Sequence, residues 1–308
     1  MMAGTPLFDR ITIIGAGLIG SSVARAVRRG KLAGHLALAD ANEEVIKEAE
    51  GLGIADSFHT SVVEAVAGSG LVILAVPVGA MASVGVAMAP GLAEGAIISD
   101  VGSVKESVFG ALEPLLPAHA HLIPGHPVAG TEQSGPAAGF ASLFDGRWCI
   151  LTPPEGVDAD ALETLTAFWQ GLGSTVEIME ARHHDLVLAI TSHVPHLIAY
   201  NIVGTASDLE EVTRSEVIKY SAGGFRDFTR IAASDPTMWR DVFLNNKDAV
   251  LEMLGRFSED LTALQRAIRW GDGDALFDLF TRTREIRRRI IDAGQDDAKA
   301  DFGRPHED

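Results

Sequence analysis

The sequence has a single cysteine, Cys149, among 308 residues. No internal disulfide can form, and without a histidine cluster at metal-ligand spacing neither a structural zinc site nor a redox pair is expected. The thiol reads as a small buried apolar group. Long apolar runs are also missing: the longest, such as Leu71 to Pro77 and Ala96 to Ser99, fall far short of the roughly 20 residues that a membrane helix needs. No span is expected. The opening MMAGTPLFDR carries no cationic stretch followed by a long apolar one, so no secretory signal is visible and a cytoplasmic location is expected. Basic residues are outnumbered, 25 Lys and Arg against 42 Asp and Glu, for a formal net charge of -17. Such a chain repels nucleic acid phosphates and acidic membrane faces, which leaves small molecules as partners. An anionic one must meet a local cationic pocket. The basic cluster Arg282, Arg284, Arg287, Arg288 and Arg289 lies near the end of a helical pattern, where cations favour the helix dipole and pair with acids, so it reads as a solvated face.

At 47% hydrophobic residues and this length, two domains are expected. The first half alternates strand and helix patterns: RITIIG, then LIGSSVARAVRRG, HLALAD, EEVIKEAEGLG, LVILAVP, AIISDV and, later, RWCILTPP. Runs of Val, Ile, Leu and Ala without polar alternation are what parallel strands covered on both faces show. A doubly wound α/β sheet of Rossmann type follows.

Gly15, Gly17 and Gly20 form GxGxxG between the first strand and its helix. The first glycine permits a tight turn, the second lets a pyrophosphate approach the backbone, and the third lets helix and strand pack closely. An ordinary glycine-rich turn is the bland alternative. Asp40 ends the second strand twenty positions after Gly20, where an acid can accept hydrogen bonds from the adenine ribose. Ala41 follows it, with no adjacent cation for a 2′-phosphate, so NAD is expected over NADP. Asp40 can equally serve as a cap for the helix beginning near Glu43.

After Glu180 the pattern turns helical, with Leu186, Ile190, Val194, Leu197 and Ile198 three and four apart. Pro195 should bend this helix or free a carbonyl. The turn-former-rich YSAGGFRDFTRIAASD separates it from a helical region from about Pro236 past Leu264, and a last helix spans about Asp274 to Ala293. The expected organisation is a dinucleotide-binding domain over 1–181, an all-α domain over 182–296 and a disordered tail over 297–308. Long apolar-striped helices can be buried within one chain or against a second copy, which suggests a homodimer.

Taken on their own, the polar residues with chemical promise are Ser103 in SDVGSVK, His126 in IPGHPVAGTEQSG, His193 and His196 in SHVPH, and Arg230 in FRDFTRIA. Loops beyond the carboxyl ends of parallel strands are where α/β folds bind ligands, and Ser103 and His126 occupy that edge. His126 is either a hydrogen-bonded loop residue or a base. The SHVPH pair lacks a third ligand, so no metal is expected there. Arg230 and Asp227 suit a helix-face ion pair as well as a substrate contact.

The stretches GAGLIGSSVA, LAVPV, ISDVGSVK, PGHPVAGTEQSG, LTPP, SHVPH and GGFRDFTRIAASDPTMWRDVFLNN resemble the prephenate and arogenate dehydrogenases. They sample nearly the whole chain from Ile11 to Asn246. The resemblance implies a Rossmann domain followed by an all-α C-terminal dimerisation domain, and NAD-linked oxidative decarboxylation of prephenate or arogenate in tyrosine biosynthesis. By the same resemblance His126 is the base for the ring hydroxyl and Ser103 orients His126 or that hydroxyl. Arg230 binds a carboxylate, while His196, His193, Thr131 and Glu132 are substrate contacts. Leu18, Ile19, Val76 and Pro77 join the three glycines and Asp40 at the cofactor. Two alternatives stand beside this: a β-hydroxyacid or imino-acid oxidoreductase, which would need a helical-domain lysine such as Lys219 or Lys247, and a non-enzymatic NAD-sensing regulator.

Overall fold

The computed structural model describes residues 5–131, 133–208 and 223–292. Glu132, Lys219 and the tail expected from 297 lie outside the described residues. Strands β1 (Phe8–Ile14), β2 (Ala33–Ala39), β3 (Ser57–His59), β4 (Leu71–Leu74), β5 (Ile97–Asp100) and β6 (His121–Leu122) form a parallel sheet in the order β3-β2-β1-β4-β5-β6. This is the doubly wound order, with its reversal between β1 and β4. Helices α1 (Leu18–Gly30), α2 (Glu43–Gly51), α3 (Val62–Val66), α4 (Met81–Met88) and α5 (Glu106–Leu112) fill the connections.

The absence of polar alternation in the strands has a direct cause. Ile11, Ile13, Leu71 and Ile73 join one buried core with Val23 and Val27 of α1 and with Phe168 and Trp169 of α6 (Ala159–Gly171). Their neighbours Ile14, Val72, Leu74 and Ile98 join a second core with Val66, Met88 and Leu112. Burying each such side chain stabilises by roughly 1.5–3 kcal/mol, so both faces of the sheet call for apolar residues. Thr12 is the fully buried polar residue of β1, and its hydroxyl donates to the Ala65 carbonyl at 2.7 Å.

RWCILTPP does contain a strand, but that strand belongs to a second sheet. There β7 (Gly125–Pro127) pairs antiparallel with β8 (Trp148–Leu151), which pairs parallel with β9 (Thr175–Ile178). His126 therefore lies on a strand and not in the loop that its sequence context suggests. Strands of two or three residues, such as β6 and β7, are too short to carry a periodic signal.

Helix α7 (Ala181–Leu188) passes through a π turn, Ala189–His193, into α8 (Val194–Asp208). Pro195 has no amide and crowds the preceding turn; the wider turn just ahead of it is the accommodation, in place of a break. The continuous run is 28 residues and, by length and composition alone, apolar enough to cross a membrane, which differs from the expectation of no such segment. It carries His184, Asp185 and His193 buried against protein partners, the character of a helix facing a core. Next come α9 (Gly223–Thr229), α10 (Pro236–Asn245), α11 (Lys247–Trp270) and α12 (Gly273–Asp292). GGFRDFT is thus helical although turn formers surround it. The expected helix from Pro236 is interrupted at Asn246, whose side chain bonds the Asp185 carbonyl at 2.9 Å. The chain divides into two compact units, the first ending at Met253 and the second beginning at Leu254. All candidate site residues belong to the first.

Candidate active site

The glycine turn has three different glycines. Gly15 has φ +101°, and a Cβ there would sit 2.3 Å from the Ala75 carbonyl oxygen. A Cβ on Gly20 would lie 1.9 Å from the Gly15 carbonyl oxygen, so no side chain fits between α1 and the turn. Around Gly17 there is nothing within 4 Å, and Gly17 caps α1 with no side-chain bond and no acid in the first turn. The open face and the helix-start amides of Leu18 and Ile19, which have no intrahelical acceptor, make a cradle with the room and the donors that an anionic group needs. Asp40 follows β2, and its carboxylate accepts from the amides of Ala16 and Asn42, each at 2.9 Å. It is not the cap of α2; Asn42 is, accepting from the Glu44 amide. Val76 and Pro77 follow β4 on the far side of the turn, with Val76 Cγ1 3.1 Å from the Cβ position of Gly15.

His126 is 7% exposed, and its Nδ1 lies 2.8 Å from His184 Nε2 on α7. His184 Nδ1 lies 2.8 Å from Asp185 Oδ1. The Asp185 carboxylate also accepts the amides of Lys105, at 2.8 Å, and Glu106, at 3.0 Å, and so caps α5 from another element. Burial pushes the His126 imidazole well below its ordinary range, helped by His184 and the Lys105 ammonium. Burial likewise lowers His184 to about 2. Both rings are neutral near pH 7. A buried ion pair, Lys105 with Asp100 at the end of β5, stands behind them. Lys105 Nζ donates to the Gly125 carbonyl at 2.6 Å, and Asp100 accepts the Gly125 amide at 3.1 Å, so the pair holds β7 by both sides of one glycine. Burial pulls Asp100 up and Lys105 down, and their mutual attraction opposes both shifts.

A cavity of about 530 Å³ collects Ser103, His126, Thr131, His196 and Arg230, with Arg147 and Trp239 in the same wall. His196 stacks on Trp239 with ring centroids 3.6 Å apart, and its Nδ1 donates to the Ser192 carbonyl at 2.8 Å. Burial lowers its pKa, with Arg230 adding to the shift. His193 is not in the cavity wall. It is fully buried, its Nδ1 accepts from Asn246 Nδ2 at 3.1 Å, and burial lowers its pKa to about 4. Among the described residues no hydrogen bond joins Ser103 to His126; the partner of His126 is His184. Asp227 has Arg226 at 3.6 Å. No lysine lines the cavity among the described residues, and Lys247 lies in a different cleft, with Glu106 and Arg182. Nor do the described residues contain a cluster able to hold a metal.

Sequence reading missed His184, Asp185, Asp100, Lys105, Arg147 and Trp239. The available signal was His184 and Asp185 standing four and three positions before Leu188, on the side of α7 that it buries, and Asp100 closing an apolar strand, all costly to bury unless paired.

Two family models match in tandem: prephenate dehydrogenase, nucleotide-binding domain, over residues 23–178, and prephenate dehydrogenase, dimerization domain, over residues 180–282. The chain is 44% identical over 281 residues to a cyclohexadienyl dehydrogenase of Zymomonas mobilis, covering 91% of this chain and 96% of that protein. It is 33% identical over 280 residues to a prephenate dehydrogenase of Bacillus subtilis, covering 91% of this chain and 75% of the other. The crystal structure of prephenate dehydrogenase from A. aeolicus in complex with hydroxyphenyl propionate and NAD+ superposes with a TM-score of 0.86 at 33% identity, covering 94% of this chain and all of that one. Consecutive models for the two halves, together with a relative matched over 96% of its own length, lead to a single assignment: the chain belongs to the prephenate dehydrogenase family.

Proposed function

We propose that this protein oxidatively decarboxylates prephenate, arogenate or both with NAD, giving 4-hydroxyphenylpyruvate or tyrosine on the route to tyrosine. The observation that carries the reading is a neutral, buried His126 opening on the same cavity as the Arg230 guanidinium. When bound, NAD supplies the hydride acceptor. The chain's own residues then have distinct tasks. His126 takes the proton of the ring hydroxyl, a task for an imidazole that is unprotonated at working pH. Ser103 offers its hydroxyl to that oxygen. Arg230 receives a carboxylate in two parallel hydrogen bonds, and Arg147 offsets further negative charge at the other part of the wall. His196 and Thr131 complete the contacts, with His193 supporting the wall from behind.

Gly15, Gly17, Leu18, Ile19, Gly20, Val76 and Pro77 hold the dinucleotide, and Asp40 the adenine ribose, with its carboxylate opposing a 2′-phosphate. The two domains are 1–181 and 182–296, a boundary supported by the change of family model between residues 178 and 180. The protein is cytoplasmic and works as a homodimer.

NADH or NADPH formation, followed with prephenate and with arogenate, tests the assignment in four assays. Turnover of at least one substrate with NAD is expected, and a fall in kcat of about 10²–10⁴-fold in His126→Asn with NAD affinity retained. No turnover in any of the four, or a His126→Asn variant as fast as the parent, overturns it. No turnover in any of the four is also what a non-enzymatic sensor or a lysine-dependent oxidoreductase of other substrates predicts.

A further inference from the structure

A base works only if its lone pair faces the substrate, and the buried chain behind His126 decides which nitrogen has it. The Asp185 carboxylate is an acceptor at both oxygens, Oδ1 from the Lys105 amide and Oδ2 from the Glu106 amide. Its 2.8 Å partner, His184 Nδ1, must therefore carry a proton and donate it. A neutral imidazole has one N–H, so His184 Nε2 is left with a lone pair. The atom 2.8 Å from that lone pair is His126 Nδ1, which in turn must donate. The single proton of neutral His126 is then engaged by His184. Its Nε2, which has no protein partner among the described residues, is the nitrogen left to the cavity.

We infer that Asp185, acting through His184, is the positioning residue that holds the proton of His126 on Nδ1 and so presents Nε2 as the base. This rests on the proposed role of His126 and deepens it. The sequence of carboxylate, imidazole and reacting group has the logic of a hydrolase triad, with a second imidazole where the nucleophile would stand. Asp185 is not in the wall of the cavity on which His126 opens. The backbone amides that donate to it are rigid, because they belong to the start of α5, and Lys105 ties that turn to the strand bearing His126.

The test combines tautomer and rate. In protein with ring-labelled histidine, nitrogen NMR at neutral pH should find His126 protonated on Nδ1 in the parent and shifted toward Nε2–H in Asp185→Asn. In the same variant kcat should fall by about 10²–10⁴-fold, the scale of a wrong tautomer in a triad, while KM and NAD affinity hold. Asp185 also caps α5, so a second pair of variants leaves the cap intact. His184→Phe removes the acceptor and should lose kcat similarly; His184→Gln can accept from His126 and donate to Asp185, and should recover most of it. A parent His126 protonated on Nε2 overturns the inference. So does a kcat near the parent's in both Asp185→Asn and His184→Phe, provided that His126→Asn is impaired. If His126→Asn is itself unimpaired, it is the underlying role of His126 that has failed.

Discussion

Three imidazoles, His126, His184 and His193, are buried, and each has its pKa lowered chiefly by that burial. Lys105 reinforces this at His126 and His184, while Asp185 opposes it at His193. For stability the sign is set by proton uptake. Unfolded, each ring titrates near its ordinary 6.5; folded, His193 does so at about 4 and His184 at about 2. Between those values the unfolded chain binds more protons than the native one. The stabilisation is therefore complete above about pH 6.5 and is lost as pH falls, by about 1.4 kcal/mol per pH unit for each ring fully in its window. The raised Asp100 and Asp185 pull the other way at the acid end, so the net slope stays below the sum. Urea unfolding at pH 7.5, 6 and 5 should show a falling midpoint, and His184→Phe should flatten that fall; a midpoint independent of pH would mean that the rings are not buried neutral. The same burial explains what the sequence displayed and what it hid. His126, Ser103 and Arg230 were legible because they sit in distinctive motifs. His184 and Asp185 follow Arg182 and His183 in a run that reads as an ordinary polar helix start, until α7 is seen packed against β7.

Among the elements, the turn from β1 to α1 separates fold from function within six residues. Gly20 is compressed against the Gly15 carbonyl and Gly17 faces open space, so the two should respond differently to one methyl group. Gly20→Ala places a Cβ inside the van der Waals radius of a backbone oxygen and forces helix and strand apart; overpacking of this sort costs about 1–3 kcal/mol or more. A lowered Tm even without ligand is expected. Gly17→Ala meets no protein atom and should leave Tm of the free protein unchanged while weakening NAD binding, since the methyl group occupies the pyrophosphate's approach. Equal effects of the two changes on Tm would contradict this division. Elements long enough to show a period were read correctly in kind: β1, β2, β4 and β5 as buried strands, α1 as the first crossover, and α12 as the last helix. The second sheet was not legible, because β7 has three residues and is defined by a partner more than twenty positions away. The π turn ahead of Pro195 also escaped, since the proline announces a disturbance without saying how the backbone absorbs it.

For the whole molecule the unresolved quantity in the sequence was the destination of the apolar stripes, and the second unit states the problem most clearly. Along the end of α11 and through α12, Leu261, Ile268, Trp270, Phe277, Phe280 and Ile286 are exposed, Trp270 at 72% and Phe277 at 70%. An α-helix places residues three and four apart on one side, so Phe277 and Phe280 form one continuous apolar strip and not scattered surface residues. A strip of this kind marks a surface suited to contact with another protein. A second copy is the partner that needs no further component, and the dimerization-domain match over residues 180–282 supports it. The five arginines of α12 remain exposed beside the strip and keep it from being uniformly apolar. Light scattering at micromolar concentration should give twice the chain mass of 32.6 kDa. Both rings occur twice in a symmetric dimer, so at about 1.5–3 kcal/mol for each ring buried, Phe277→Glu with Phe280→Glu should raise the dimer dissociation constant by about 10⁴-fold or more. A parent protein that is monomeric at these concentrations, or a double variant that dimerises as tightly as the parent, would place the subunit contact elsewhere or remove it. Because the glycine cradle and the His126 cavity are both built within the first unit, NAD affinity should survive in the monomeric variant.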